Sequence, residues 1–155
     1  MNVQNGKLRF KDNMSARTMF FSDDAEVISL AGEFYSFRLS HSKWDRATQL
    51  TVTLYYAIRF PYRMAFELIR ERALYIGFGR YRTAEQRADL ETNIHHWLQA
   101  SRTFVAKYSN IDEISALVNL FISTHWHAGE PYPDNMDPAV CEVDTARLEG
   151  TAAVI

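Results

Sequence analysis

The chain has 155 residues and a formal net charge of −2, and 47% of its residues are hydrophobic. This length and apolar content fit one domain with a buried core and exclude general disorder. The small negative net charge argues against bulk binding of a polyanion. The one cysteine, Cys141, excludes an intramolecular disulfide and a thiolate metal site.

The first 21 residues lack helical periodicity. Two short runs, KLRFK and RTMFF, flank the turn-forming residues DNMS, which predicts a small β-hairpin or an arm that packs on a neighbouring molecule. The same segment has no apolar core of a signal peptide, and no run in the chain is long enough to span a membrane. We therefore expect a cytoplasmic protein.

Five segments carry the apolar spacing of amphipathic helices. The predicted helices cover 23–39, 43–59, 61–77, 84–107 and a segment that begins after Asn110. Ser42, Thr83 and Asn110 are the expected N-caps of the second, fourth and fifth helices. Pro61 separates the second helix from the third, because it disfavours helix at Phe60 and suits a first helical turn.

These elements predict a mainly α fold, a compact bundle of about five helices. The bundle is expected over residues 1–127, with residues 1–21 as its hairpin or arm. Residues 128–155 form an irregular acidic tail that contains proline and glycine and packs on the bundle or on a partner. From residue 110 onward there are eight acidic residues and one basic residue, Arg147.

A cluster of arginines follows the second helix. The residues are Arg59, Arg63, Arg70, Arg72, Arg80 and Arg82, with aromatic residues between them and two glutamates nearby. Together with Arg87 they would form a basic face, from Arg59 to Arg87, suited to nucleic acid. Three other interpretations stay open: ion pairs along the helix, a face that contacts protein, and docking of the chain's own acidic tail.

Two arginines occupy helical positions that should be apolar. Arg72 falls between Ala65 and Ile69 on the predicted arc of the third helix, and Arg38 has a similar place on the first. Such an arginine extends to solvent, pairs with a carboxylate or faces a partner. Aromatic residues also fall off the apolar stripe of the second helix, which suggests a second contact surface. The predicted partner-binding surface around Pro61 consists of Tyr56, Phe60, Arg63, Arg72, Arg80 and Arg82.

A metal site is a further hypothesis. His125, His127 and Glu130 supply two imidazoles and a carboxylate, a ligand set that zinc accepts with one position open. If the fifth helix continued through both histidines, their side chains would point about 160–200° apart, given the helical step of about 100°. The site therefore requires a turned or extended segment. In a helix, the histidines would instead interact with the dipole at its C-terminus.

No phosphate-binding loop, dinucleotide fingerprint, nucleophile elbow or His-Glu-x-x-His motif occurs. The sequence thus favours a non-enzymatic module that binds another protein and uses no cofactor. It would act as an adaptor, inhibitor or assembly subunit, on a second copy or on a target, in the style of a viral or mobile-element accessory protein. The alternatives are a nucleic-acid-associated protein and a metal-dependent enzyme centred on His125 and His127.

Overall fold

The computed structural model describes residues 20–77 and 80–133, and these ranges contain helices and no strand. The α-helices are α1 (Asp24–Tyr35), α2 (Arg46–Arg59), α3 (Tyr62–Gly77), α4 (Ala84–Lys107) and α5 (Ile114–Thr124), with short 3-10 turns at His41–Lys43 and Trp126–Ala128. The predicted mainly α fold is confirmed. Residues 1–19 of the predicted hairpin and residues 134–155 of the predicted tail lie outside the described residues. None of the described helices is long and apolar enough to cross a membrane.

Helix α2 lies at the centre of the bundle and packs against the other four helices. All residues from 48 to 54 are buried, as is Tyr56. Two of its buried polar side chains are satisfied within the helix, since the hydroxyls of Thr51 and Thr53 donate to the carbonyls of Ala47 and Gln49. The second apolar side of this helix is therefore covered by the chain itself. The expectation that Tyr56 marks an exposed face is wrong.

Helix α1 ends at Tyr35, four residues before its predicted end. Phe37 has a φ of 62°, and its N–H donates to the carbonyl of Phe34 (3.2 Å) while that of Arg38 donates to the carbonyl of Glu33 (2.9 Å). These are the two bonds of a Schellman motif, with phenylalanine where glycine is usual. Arg38 consequently lies beyond the helix and is exposed, so its predicted place in the apolar arc is wrong.

The helix starts show where local sequence suffices and where it does not. Thr83 caps α4 as predicted, in a capping box with Gln86. Helix α2 begins three residues later than expected, with Asp45 as its cap in place of Ser42. Helix α5 has no side-chain cap at Glu113. Instead, the Asp24 carboxylate at the start of α1 accepts a 2.7 Å hydrogen bond from the backbone N–H of Ser115.

After α5 the chain turns back onto α2. Tyr132 is fully buried, its hydroxyl lies 2.6 Å from Oγ1 of Thr53, and its N–H donates to Oε1 of Gln49 (2.9 Å). Gln49 in turn donates from Nε2 to the carbonyl of Trp44 (3.0 Å). This network fixes the first residues of the predicted tail against the central helix.

Candidate interaction surfaces

The six residues predicted to bind a partner do not form one exposed surface. Tyr56 is part of the core, where its hydroxyl donates to the carbonyl of Ala31 (2.6 Å) and burial raises its pKa. Phe60 is half-buried and stacks on Tyr56 with ring centroids 5.6 Å apart. Tyr56 therefore joins α2 to α1, and Phe60 packs the turn between α2 and α3 against α2.

Arg72 is buried, with 7% of its surface exposed. Its Nε donates to the carbonyl of Tyr35 (2.9 Å), and its Nη1 donates to Oε1 of Glu71 (2.9 Å). The centre of its guanidinium lies 4.7 Å from the ring centroid of Tyr35 and 4.4 Å from that of Phe37. Arg72 thus joins the end of α1 to α3 through contacts within the chain.

The rings around Arg72 are open to solvent on their outer sides. Tyr35 is 50% exposed and Tyr75 is 60% exposed. The rings of Phe37 and Tyr75 meet edge to face, with centroids 5.0 Å apart. Ile28 lies seven residues before Tyr35, and Met64 lies eleven residues before Tyr75, spacings that place each pair on one side of its helix. We call this surface the apolar face: Ile28, Tyr35, Phe37, Met64, Arg72 and Tyr75.

The apolar face accounts for nearly all large exposed hydrophobic side chains. The described part of the chain has five of them, of which only Ile58 on α2 lies elsewhere. Helical periodicity alone places Ile28, Met64 and Tyr75 on the apolar stripes of their helices, where burial would be expected. The structure buries a narrower stripe of α3, because α1 covers only part of the side that these residues occupy.

The predicted basic face is divided. Arg59 ends α2 and Arg63 lies in the first turn of α3. In contrast, Arg80, Arg82 and Arg87 follow the end of α3, about 24 Å away for a helix of 16 residues. In the second group, Arg80 bonds to Nε2 of His41. Arg87 donates to the carbonyls of Tyr81 (3.1 Å) and Arg82 (3.0 Å), which fixes the turn before α4.

A different basic surface lies where α3 meets α4. His95 stacks on Phe66, with centroids 4.2 Å apart, and its Nδ1 is bonded to the Tyr62 hydroxyl. The guanidinium of Arg102 lies 5.9 Å from the ring centroid of Tyr62. Partial burial raises the pKa of Tyr62, and Arg102 opposes that shift. We call this surface the cationic face: Arg59, Tyr62, Arg63, Phe66, His95 and Arg102.

Sequence reasoning identified only the first two arginines of the cationic face. The remaining members follow a pattern that was available, because Tyr62 and Phe66 are four residues apart on α3 while His95 and Arg102 are seven apart on α4. The sequence pattern does not show that α3 and α4 pack side by side. That pairing brings both sets together.

The two histidines of the hypothetical metal site lie in different environments, one packed among aromatic rings and the other exposed. His125 follows the end of α5 and packs against the rings of Trp97 (5.1 Å) and Phe121 (4.8 Å). Burial lowers the pKa of His125, and nearby His96 lowers it further. His127 is exposed in the following turn. Among the described residues, no three histidine, cysteine or acidic side chains are grouped to hold a metal ion. The metal-site hypothesis is therefore not supported by this geometry.

Two exposed surfaces of different chemistry remain as candidates, the apolar face between α1 and α3 and the cationic face between α3 and α4. Helix α3 contributes to both, on opposite sides of its buried stripe. The chain matches no protein-family model, no curated protein and no solved structure with which it was compared.

Proposed function

We propose that this protein acts without catalysis, by binding another protein through its apolar face. The observation that carries the proposal is the concentration of exposed apolar side chains on one side of α1 and α3. Contiguous apolar patches on a folded chain mark sites of interaction. Tyrosine, which this face exposes at Tyr35 and Tyr75, is enriched at the energetic centres of protein interfaces.

The backbone at Phe37 supports this choice of surface. Its positive φ costs a residue with a β-carbon about 1–2 kcal/mol, and glycine would avoid that cost. Phenylalanine at this position places its ring against Arg72 and Tyr75, in the middle of the apolar face. Strain of this kind is concentrated at binding and catalytic sites.

The role that fits such a surface is that of an adaptor, inhibitor or assembly subunit. The partner is a second copy of the chain or a different protein, and the cytoplasmic location expected from the sequence belongs to the same proposal. Helices α1 and α3 present the face in a fixed arrangement, since Arg72 joins them through the Tyr35 carbonyl. A partner therefore meets a preorganised surface, which lowers the entropic cost of association.

The test removes apolar side chains that are exposed in the folded chain. We expect the double variant Ile28→Ala/Tyr75→Ala to weaken the complex at least tenfold, about 1.4 kcal/mol, with little change in thermal unfolding. The complex is followed by sedimentation velocity over a range of concentrations and by affinity capture with the full chain.

Ile58→Ala is the matched control, because Ile58 is the exposed large hydrophobic residue outside the apolar face. Self-association or capture that is lost in the double variant and kept in Ile58→Ala supports the proposal. Equal behaviour of the wild type and the double variant, in mass and in capture, would refute it.

A further inference from the structure

Helix α3 has a second exposed side that the apolar face does not use. Phe66 lies roughly 160–180° around the helix axis from Met64 and Tyr75, given a step of about 100° per residue. That side packs beside α4 and carries the cationic face. Two molecules could therefore contact α3 at once, one on each side of its buried stripe.

The cationic face has guanidinium groups that no carboxylate of the described residues neutralises. Within the described ranges, Arg59, Arg63 and Arg102 have no ion-pair partner. Arg70, next to them, differs because it bridges Glu67 (2.6 Å) and Glu91 (3.3 Å). The face therefore has three arginines that can pair with a ligand, and at its edge a fourth, Arg70, whose charge is already paired.

Aromatic rings hold part of this charge in position. The guanidinium of Arg59 lies 5.7 Å from the ring centroid of Tyr55, and that of Arg102 lies over Tyr62. His95 is fixed flat on Phe66 by stacking and by its bond to the Tyr62 hydroxyl. A guanidinium that is already oriented loses less freedom when it binds a carboxylate in the two-bond geometry.

We propose that the cationic face binds an acidic segment of a protein partner, separately from whatever occupies the apolar face. The carboxylates of that segment pair with Arg59, Arg63 and Arg102, and its uncharged residues cross the rings of Phe66 and His95. The arrangement favours spaced carboxylates over the continuous phosphates of a nucleic acid. Glu67 and Glu91 share the one positive charge of Arg70, so the cluster keeps a net negative charge that repels an unbroken row of anions.

The test uses a fluorescein-labelled peptide of eight residues, alternately glutamate and leucine, as the acidic probe and an oligothymidylate of eight nucleotides as the phosphate probe. Binding to the full chain is measured by fluorescence anisotropy at low ionic strength, where surface charge is least screened. We expect Arg59→Gln/Arg63→Gln/Arg102→Gln to bind the peptide at least tenfold more weakly than the wild type.

The control Arg38→Gln/Lys43→Gln/Lys107→Gln removes the same number of positive charges from other exposed positions. It should change peptide affinity less than twofold. An equal loss in both triple variants would mean attraction by net charge alone, and the proposal would fail. Absence of peptide binding, or tighter arginine-dependent binding of oligothymidylate than of peptide, would also overturn it.

Two further variants separate this site from its alternatives. The double variant Ile28→Ala/Tyr75→Ala should bind the peptide as the wild type does, so a failure of the apolar-face proposal leaves this one standing; loss of peptide binding would show that the faces are not separate. The second variant replaces five of the six carboxylates of the tail by amides, at Asp134, Asp137, Glu142, Asp144 and Glu149. A tenfold gain in peptide affinity there would identify the chain's own tail as the occupant and refute a separate partner.

Discussion

At the scale of single residues, Arg72 shows how a charge is accommodated in an apolar position. Its ion pair is with Glu71, whose side chain is largely exposed, so that bond is weakened by solvent. The stronger constraints are the hydrogen bond to the Tyr35 carbonyl and the rings above the guanidinium. That carbonyl belongs to the last turn of α1, where carbonyls lack partners within the helix. Arg72 therefore supplies a missing helix partner and links two helices.

Phe37 allows a test of backbone strain that removes the ring in both variants. We expect Phe37→Gly to be more stable than Phe37→Ala by about 1 kcal/mol, because glycine adopts a positive φ without a steric penalty. The quantity to measure is the free energy of unfolding from urea titrations.

Ser29 is the control for this comparison, because it is exposed inside α1. At such a position alanine makes the folded chain more stable than glycine does, by roughly 1 kcal/mol. The order of the two variants should therefore reverse between positions 29 and 37. If alanine were the more stable residue at both positions, the strain assigned to Phe37 would be absent.

At the scale of elements, the start of α5 depends on a residue more than 90 positions earlier in the chain. The Ser115 N–H donates to the Asp24 carboxylate and lowers the pKa of Asp24, and the Ser115 hydroxyl and the Ile114 N–H contribute in the same direction. The contact couples α1 to α5, so loss of the carboxylate affects the docking of both helices.

We expect Asp24→Ala to lower the free energy of unfolding at pH 7 by about 1 kcal/mol, a typical value for a helix cap. A lowered pKa in the folded chain means that the stabilisation is present above the pKa of the unfolded chain, about 3.9. It is lost as the pH falls through the lower folded value. The difference between wild type and variant should therefore diminish in acid.

Asp112→Ala serves as the reference for that experiment. Asp112 is exposed just before α5, so this substitution removes the same charge near the same helix start. Its effect should be small at pH 7. A loss in Asp112→Ala equal to that in Asp24→Ala would assign the effect to general charge at the helix N-terminus and not to the hydrogen bond.

At the scale of the whole molecule, Tyr132 closes the bundle by returning the chain to α2. Its ring is fully buried beside that of Trp44, and burial raises its pKa while the Thr53 hydroxyl opposes the shift. We expect Tyr132→Phe to lower the free energy of unfolding by about 1 kcal/mol, the usual contribution of a buried hydrogen bond. Thermal and urea unfolding both report this change.

A double-mutant cycle with Thr53→Val isolates the bond between the two hydroxyls. The coupling energy should be about 0.5 kcal/mol or more, because the residues are in direct contact. Tyr108→Phe is the comparison, since within the described residues the Tyr108 hydroxyl makes no hydrogen bond to another side chain or to the backbone. Additive effects of Tyr132→Phe and Thr53→Val would show that their bond contributes no stability.

The sequence by itself determined the helical class, the bounds of α4 and, to within one residue, those of α3. Periodicity and local caps decide these features, because both act between residues a few positions apart. The same local information placed the end of α1 too late, since it gives no reason for Phe37 to adopt a left-handed conformation.

Only the tertiary structure decided which apolar sides are covered. Periodicity marks a side of a helix as apolar but does not say what packs on it. Tyr56 is therefore buried on a helix surrounded by its neighbours, whereas Tyr75 is exposed on one that is only partly covered. The cationic face and the Asp24 cap of α5 likewise depend on pairs of helices that are distant in sequence, and such pairs form only when the whole chain packs.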